Sequence, residues 1–335
     1  MAAGDCGVRS ATIRLDPADI NLLQGLSGVD ARLLSVQVGY NTALGSLLCP
    51  ALPCSAPKFE NHSSMSAVDQ LFSNLRSEGR KALMPFFTAG DPDMATTARI
   101  IHAAQAAGAS LCEVGVPYSD PIADGPVIQA SYQRALDRGF RLQQIMEMAE
   151  DLKSEVAMPL VSMVSYAIIC RVGLKKYVQQ AKAAGYAGAI VPDLLVEEAS
   201  ELSQICADED FSLVQLVTPT TPRERQVRIA ESSSGFLYYV SVTGITGERV
   251  ALPEDLVDNV KWLRGQTDLP ICIGFGISGP ETAAQLAPVA DGLIVGSAVV
   301  RRVHDAGDSD TAVTHVAEFV TALRRAIDNA PTDLV

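Results

Sequence analysis

From residue 67 onward, short apolar runs alternate with longer amphipathic stretches. Leu83-Met-Pro-Phe-Phe-Thr88 reads as a strand, and 95–107 as a helix stopped by Gly108. The run 111–114 is the next strand, and 160–164 the one after it. A helix with Leu174, Tyr177, Val178 and Ala181 on one face follows and stops near Gly185. Ala189-Ile-Val191 is a strand, and 197–207 a helix. The runs 213–217, 236–240, 271–275 and 293–295 complete eight strand-like segments, each separated by helix-length sequence. Strands alternating with helices imply a parallel sheet. Eight such units over roughly 265 residues suit an α/β fold of the closed (β/α)8 barrel type. The competing open, doubly wound sheet would carry a glycine-rich dinucleotide loop after its first strand. The segment there is Ala89-Gly-Asp-Pro-Asp93, which is not that fingerprint.

The first 64 residues lack this rhythm, and Cys49-Pro-Ala-Leu-Pro-Cys-Ser-Ala-Pro57 reads as linker. Residues 1–64 are therefore expected to be an N-terminal extension outside the core, either disordered or arising from an upstream start codon with Met65 as the true start. A small regulatory arm is the alternative. Met1-Ala-Ala-Gly-Asp5 lacks the basic start of a secretory signal, and Asp5, Asp16 and Asp19 argue against a transit peptide. The barrel is expected to span 65–330.

Composition narrows the function. The chain has 335 residues, 48% of them hydrophobic, and a formal charge of −13. That charge disfavours a nucleic-acid surface, and no apolar run approaches the ~18 residues of a membrane span. A small anion remains possible, because backbone amides bind phosphate locally. The cysteines are Cys6, Cys49, Cys54, Cys112, Cys170, Cys206 and Cys272, and no pair has C-x-x-C spacing. His62, His102, His304 and His315 form no ligand cluster, so no metal is expected. Cys112 and Cys272 read as core residues beside strands, and a reducing cytoplasm fits.

The chemistry concentrates between Leu111 and Gln129. Glu113 lies inside an apolar strand, where a carboxylate is costly unless something needs it. The loop beyond carries Asp120 and Asp124 among prolines 117, 121 and 126. Two carboxyls at the C-terminal end of a barrel strand suit paired proton transfer. The bland readings are an acid paired with a structural base for Glu113, and turn capping for Asp120 and Asp124. No basic residue lies within 111–129 to pair with Glu113. Gly274-Phe-Gly-Ile-Ser278 after the seventh run, and Gly296-Ser297 opening a short helix after the eighth, occupy the places where barrels cradle phosphate. The segment 239–252, rich in small residues and glycine, reads as a loop able to close over substrate.

Together these residues resemble the alpha subunit of tryptophan synthase, over about 67–326. The most specific match is Glu113-Val-Gly-Val-Pro-Tyr-Ser-Asp-Pro-Ile-Ala-Asp-Gly-Pro-Val-Ile-Gln129. Met84-Pro-Phe-Phe-Thr-Ala-Gly-Asp-Pro92, Val191-Pro-Asp193, Thr218-Pro-Thr-Thr-Pro222, Ser241-Val-Thr-Gly-Ile-Thr-Gly247, Gly274-Phe-Gly-Ile277 and Gly296-Ser297 support it. The resemblance implies a lyase of tryptophan biosynthesis, which cleaves indole-3-glycerol phosphate to indole and D-glyceraldehyde 3-phosphate. It implies Glu113 and Asp124 as catalytic residues, with Phe86, Ile128, Ile190, Tyr238 and Thr246 binding substrate. Gly247, Gly276, Gly296 and Ser297 would hold the phosphate. It also implies a beta-subunit partner in an alpha2-beta2 heterotetramer, facing 117–126 and 192–198, with pyridoxal phosphate in that partner and no cofactor in this chain. Two departures stand out. Tyr118 occupies a position usually held by Phe, and Ser165 and Ala167 stand where the family commonly has Tyr and Asn.

Three rival readings remain. A sugar-phosphate epimerase would want metal-binding His and Asp at strand ends. A non-catalytic activator of a beta subunit would have no use for Glu113 and Asp124. A free-standing indole-releasing lyase would need no partner.

Overall fold

The strands are apolar on both faces because each is covered twice, by helices outside and by opposing strands inside. The computed structural model describes residues 65–121, 124–240, 254–274 and 276–331, apart from the side chains of 254 and 255. The expectations for 1–64 and for 241–252 lie outside them. In chain order the strands are β1 (Ala82–Thr88), β2 (Cys112–Gly115), β3 (Leu160–Met163), β4 (Tyr186–Ile190), β5 (Ser212–Val214), β6 (Leu216–Val217), β7 (Leu237–Val240), β8 (Ile271–Gly274) and β9 (Gly292–Val295). The helices begin with α1 (Ala67–Ser77), α2 (Met94–Ala106), α3 (Pro126–Asp137), α4 (Leu142–Leu152), α5 (Tyr166–Val172) and α6 (Leu174–Ala184). They continue with α7 (Ser200–Asp208), α8 (Arg223–Glu231), α9 (Glu254–Arg264), α10 (Pro280–Leu286), α11 (Ser297–Asp305) and α12 (Ser309–Asp328).

All pairings are parallel, in the order β5-β4-β3-β2-β1-β9-β8-β7-β6. The two ends of that order are covalently continuous, because only Gln215 separates β5 from β6. The fifth expected strand is thus one stave in two halves, the first paired with β4 and the second with β7. At the break the Gln215 amide donates to the carbonyl and hydroxyl of Ser232 at 2.9 and 2.8 Å. The sheet therefore closes as the eight-stave barrel expected from the hydrophobic rhythm. Helix boundaries differ slightly: Glu197, expected to open a helix, instead pairs with Arg225 and Arg228 of α8 at 2.7 and 3.4 Å, and α7 begins at Ser200.

Strand parity sorts the core into two layers. Leu83, Phe87, Cys112, Val114, Leu237 and Leu293 face the helices. Met84, Phe86, Leu111, Val161, Ile190, Tyr238, Cys272 and Ile294 face the barrel interior. Glu113 alternates with the outward Cys112 and Val114, so it points inward from β2. Cys112 and Cys272 are fully buried, as their strand context indicated.

Helix α1 has no counterpart in the eight repeats. Its Val68, Phe72 and Leu75 join the inner cluster beside Ala82, Leu111 and Phe236, all at the starts of strands. Phe72 packs on Phe236 at 5.7 Å between ring centroids. The helix therefore plugs the N-terminal mouth, and the described residues leave the other mouth open. Ser66 caps it, accepting from the Asp69 N–H at 3.1 Å and sharing a 2.9 Å hydrogen bond with Ser212.

Helix α3 is held from below by a buried acid. Asp91, after β1, accepts two hydrogen bonds from Arg134, at 3.0 Å to Nε and 2.6 Å to Nη2. Arg138 lies 3.5 Å from the same carboxylate. This bidentate contact sets the position of the helix that follows Asp124. Asp91→Ala is expected to lower the stability measured by urea unfolding by about 2 kcal/mol, the scale of a lost hydrogen bond to a charged group; an unchanged midpoint would contradict the clamp.

Candidate active site

At the open mouth lies a cavity of about 320 Å³. Its floor and one wall carry the two acids. Glu113 is 1% exposed, and its Oε1 has no hydrogen-bond partner among the described residues. Asp124 is 7% exposed, and its Oδ2 is likewise unpartnered. The Asp124 backbone is fixed, however. Its N–H donates to the Pro121 carbonyl at 3.1 Å, and its carbonyl accepts from Gln129 Nε2 at 2.8 Å. These two contacts hold the backbone that carries the carboxyl. Asp120, by contrast, is exposed and accepts from the Ser119 hydroxyl at 2.7 Å. The structure therefore separates the two loop acids.

Burial raises the Glu113 pKa well above the usual carboxyl range, and the charge of Asp124 raises it further. Burial alone pushes Asp124 up to about 6. The ordering follows: Asp124 loses its proton first, and its charge then helps Glu113 keep its own. Between the two titrations the pair holds one acid and one base.

Apolar walls surround the pair. Phe86 and Ile128 border the cavity, joined by Met163 and Ile294. Ile190 lies fully buried in the inner core, in register with Met163, and of these two Met163 borders the opening. Tyr238 lines the cavity and lies across Gly274, where an added Cβ would sit 2.4 Å from its hydroxyl. Gly115 gives the same clearance to Phe86, whose ring edge would be 2.5 Å from a Cβ there. Ser165 does not border the cavity; it caps α5 and donates to Asp193 at 2.6 Å.

The far end is built from backbone. Gly276, in the left-handed region at φ +80°, Ile277 and Ser278 form one rim, and Gly296 with Ser297 forms the other. Gly296 is the N-cap of α11, so the helix's first N–H groups open towards this rim. Thr246 and Gly247 lie outside the described residues. Arg301 also borders the cavity and, like Met163 and Ile294, was not anticipated from sequence. Inward strand parity identifies Met163 and Ile294. Four-residue spacing from Ser297 identifies Arg301.

Among the described residues no group of three His, Cys, Asp or Glu could hold a metal. A closed parallel barrel with unlike carboxyls at one end of an apolar slot, and a backbone anion cradle at the other, defines an acid–base enzyme acting on an apolar phosphate ester. Residues 72–328 match the family of the tryptophan synthase alpha chain. The tryptophan synthase alpha chain of Rhodopirellula baltica is 66% identical over 278 residues, covering 79% of this chain and all of the relative. That of Microcystis aeruginosa is 46% identical over 267 residues, covering 78% and 100%. The crystal structure of tryptophan synthase subunit alpha from Legionella pneumophila superposes with a TM-score of 0.74 at 33% identity, covering 79% of this chain and 100% of that one. The chain belongs to the tryptophan synthase alpha chain family. It is a carbon–carbon lyase of tryptophan biosynthesis that cleaves indole-3-glycerol phosphate to indole and D-glyceraldehyde 3-phosphate. The family works with a beta subunit, which carries the pyridoxal phosphate; the alpha chain carries no cofactor.

A carboxyl whose folded pKa is raised stabilises the fold below its unfolded pKa, and that contribution disappears as pH rises through the folded pKa. Glutamine cannot titrate. Glu113→Gln is therefore expected to unfold at a higher temperature than the parent at pH 8 in calorimetry, with the gap narrowing towards pH 4. An equal or lower midpoint at pH 8 would contradict the burial argument.

Proposed function

We propose that Glu113 is the acid–base residue of the cleavage and Asp124 its electrostatic partner. Glu113, protonated, delivers its proton to C3 of the indole ring. The ring becomes a cation, and the Asp124 carboxylate accepts the hydrogen bond from its N–H and offsets the charge. Glu113, now ionised, takes the proton of the neighbouring glycerol hydroxyl. The carbon–carbon bond breaks, its electron pair returns to the ring, and indole and the aldehyde leave. The observation that carries this reading is the pair of buried, unpartnered carboxyl oxygens bordering one apolar cavity. Neither bland reading fits them: among the described residues Glu113 Oε1 and Asp124 Oδ2 meet no structural base or capped N–H.

The roles of the remaining residues follow. Phe86, Ile128 and Tyr238 hold the flat ring, with Ile190 backing the wall. Gly276, Gly296 and Ser297 bind the phosphate, and Thr246 and Gly247 contribute from the closing loop. The chain acts in an alpha2-beta2 tetramer in the cytoplasm. Leu195, 53% exposed within the expected contact segment 192–198, supports that surface as a docking face for the beta subunit. No described helix is long and apolar enough to cross a membrane.

Indole release from indole-3-glycerol phosphate tests the assignment. Glu113→Gln and Asp124→Asn are each expected to lower kcat by about 10²–10⁴-fold. For the parent, kcat/KM should fall as pH drops below about 6, where Asp124 takes up a proton. Near-normal rates in both variants, or an acid limb unchanged by Asp124→Asn, would refute the roles.

A further inference from the structure

The phosphate end of the cavity holds a charge that the backbone cradle does not explain. Arg301 lies four residues beyond Ser297 on α11, so both side chains share one face of the helix. It borders the same cavity as Gly276, Gly296 and Ser297. No other Lys or Arg borders that cavity among the described residues. Its neighbour Arg302 is committed elsewhere: Nη1 donates to the Ala298 carbonyl at 2.8 Å, and its guanidinium stacks 3.3 Å from the centre of the Phe319 ring. Arg301 itself makes no hydrogen bond or ion pair with another described residue and stays exposed at the rim. Burial and the Arg301 charge lower the Arg302 pKa.

The whole protein carries a net charge of −13, and the other charged groups bordering the cavity are Glu113 and Asp124. A doubly charged phosphate ester entering this mouth meets an unfavourable long-range field. Backbone amides and a helix N-terminus supply only partial charges. A full cation at the rim would offset the repulsion locally and form charge-assisted hydrogen bonds with the phosphate oxygens.

We propose that Arg301 is a specificity-determining residue that pairs with the substrate's phosphate and selects phosphorylated over uncharged indole compounds. This rests on the reading that the Gly276–Gly296–Ser297 rim holds that phosphate. The residue acts on binding and moves no proton, so its removal should be felt in KM more than in kcat.

The test compares the parent with Arg301→Gln and Arg301→Lys, each assayed with its beta subunit. The readouts are KM and kcat for indole-3-glycerol phosphate, inhibition by inorganic phosphate, and inhibition by indole, which has no phosphate. Arg301→Gln is expected to raise KM and the phosphate inhibition constant about 10- to 100-fold, the scale of a lost charged hydrogen bond. Its kcat should fall less than threefold, indole inhibition should stay at the parent value, and KM should lose most of its salt dependence. Arg301→Lys should recover most of the loss. An unchanged KM in Arg301→Gln, or an equal weakening for phosphate and indole, would overturn the proposal. A parent enzyme that released no indole would instead overturn the functional reading beneath it.

Discussion

Everything at this active site depends on the placement of Glu113 on the inner face of β2, where almost none of it is exposed. A carboxylate there is costly, and the cost falls on the charged form alone. Burial thus acts as a proton-retention device: the side chain is an acid at a pH where free glutamate is a base. Asp124 sharpens the difference. It is less deeply buried, titrates at a lower pH, and contributes the charge that keeps its neighbour neutral. On the proposed mechanism the slot needs two unlike carboxyls, because the ring must gain a proton on carbon while the resulting cation is held on nitrogen.

The rest of the barrel serves that pair. Parity along β2 aims Glu113 inward, and the α1 plug closes the opposite mouth. The Asp91–Arg134 contact sets α3, and α3 in turn fixes the loop that carries Asp124 through Gln129. Glycines at 115 and 274 exist for clearance, since a methyl group at either would strike Phe86 or Tyr238. The rim proposed to hold the phosphate is assembled from loop backbone and the start of α11. On that proposal one end of the substrate is recognised by shape and apolar contact and the other by charge, with the scissile bond between them. This division lets binding energy at the phosphate orient the ring against the acids.

Much of this was legible in the chain itself. The eight apolar runs marked the staves because a doubly covered parallel sheet leaves each strand apolar throughout. Glu113 stood out because it breaks such a run, and Asp124 because it follows at the strand end where barrels place their chemistry. The split at Gln215 was hidden, since a polar residue within Leu213–Val217 does not announce which way its side chain turns. Helix α1 was missed for a different reason. It is not part of the repeat, and its three core residues make sense only once the strand starts are seen to need a cover. Met163, Ile294 and Arg301 required knowing which parity or helix face points at the cavity. Asp120 and Asp124 looked alike in sequence and were separated only by burial.

The central claim is that two neighbouring carboxyls in the resting enzyme hold unlike protonation states near neutral pH. Infrared difference spectroscopy across a pH titration reads this directly, with Glu113→Gln and Asp124→Asn used to assign the bands. The account predicts a protonated carboxyl band that persists at pH 7 and vanishes in Glu113→Gln, together with a carboxylate that titrates near pH 6 and vanishes in Asp124→Asn. Two groups ionising together near pH 4, as free side chains do, would contradict it.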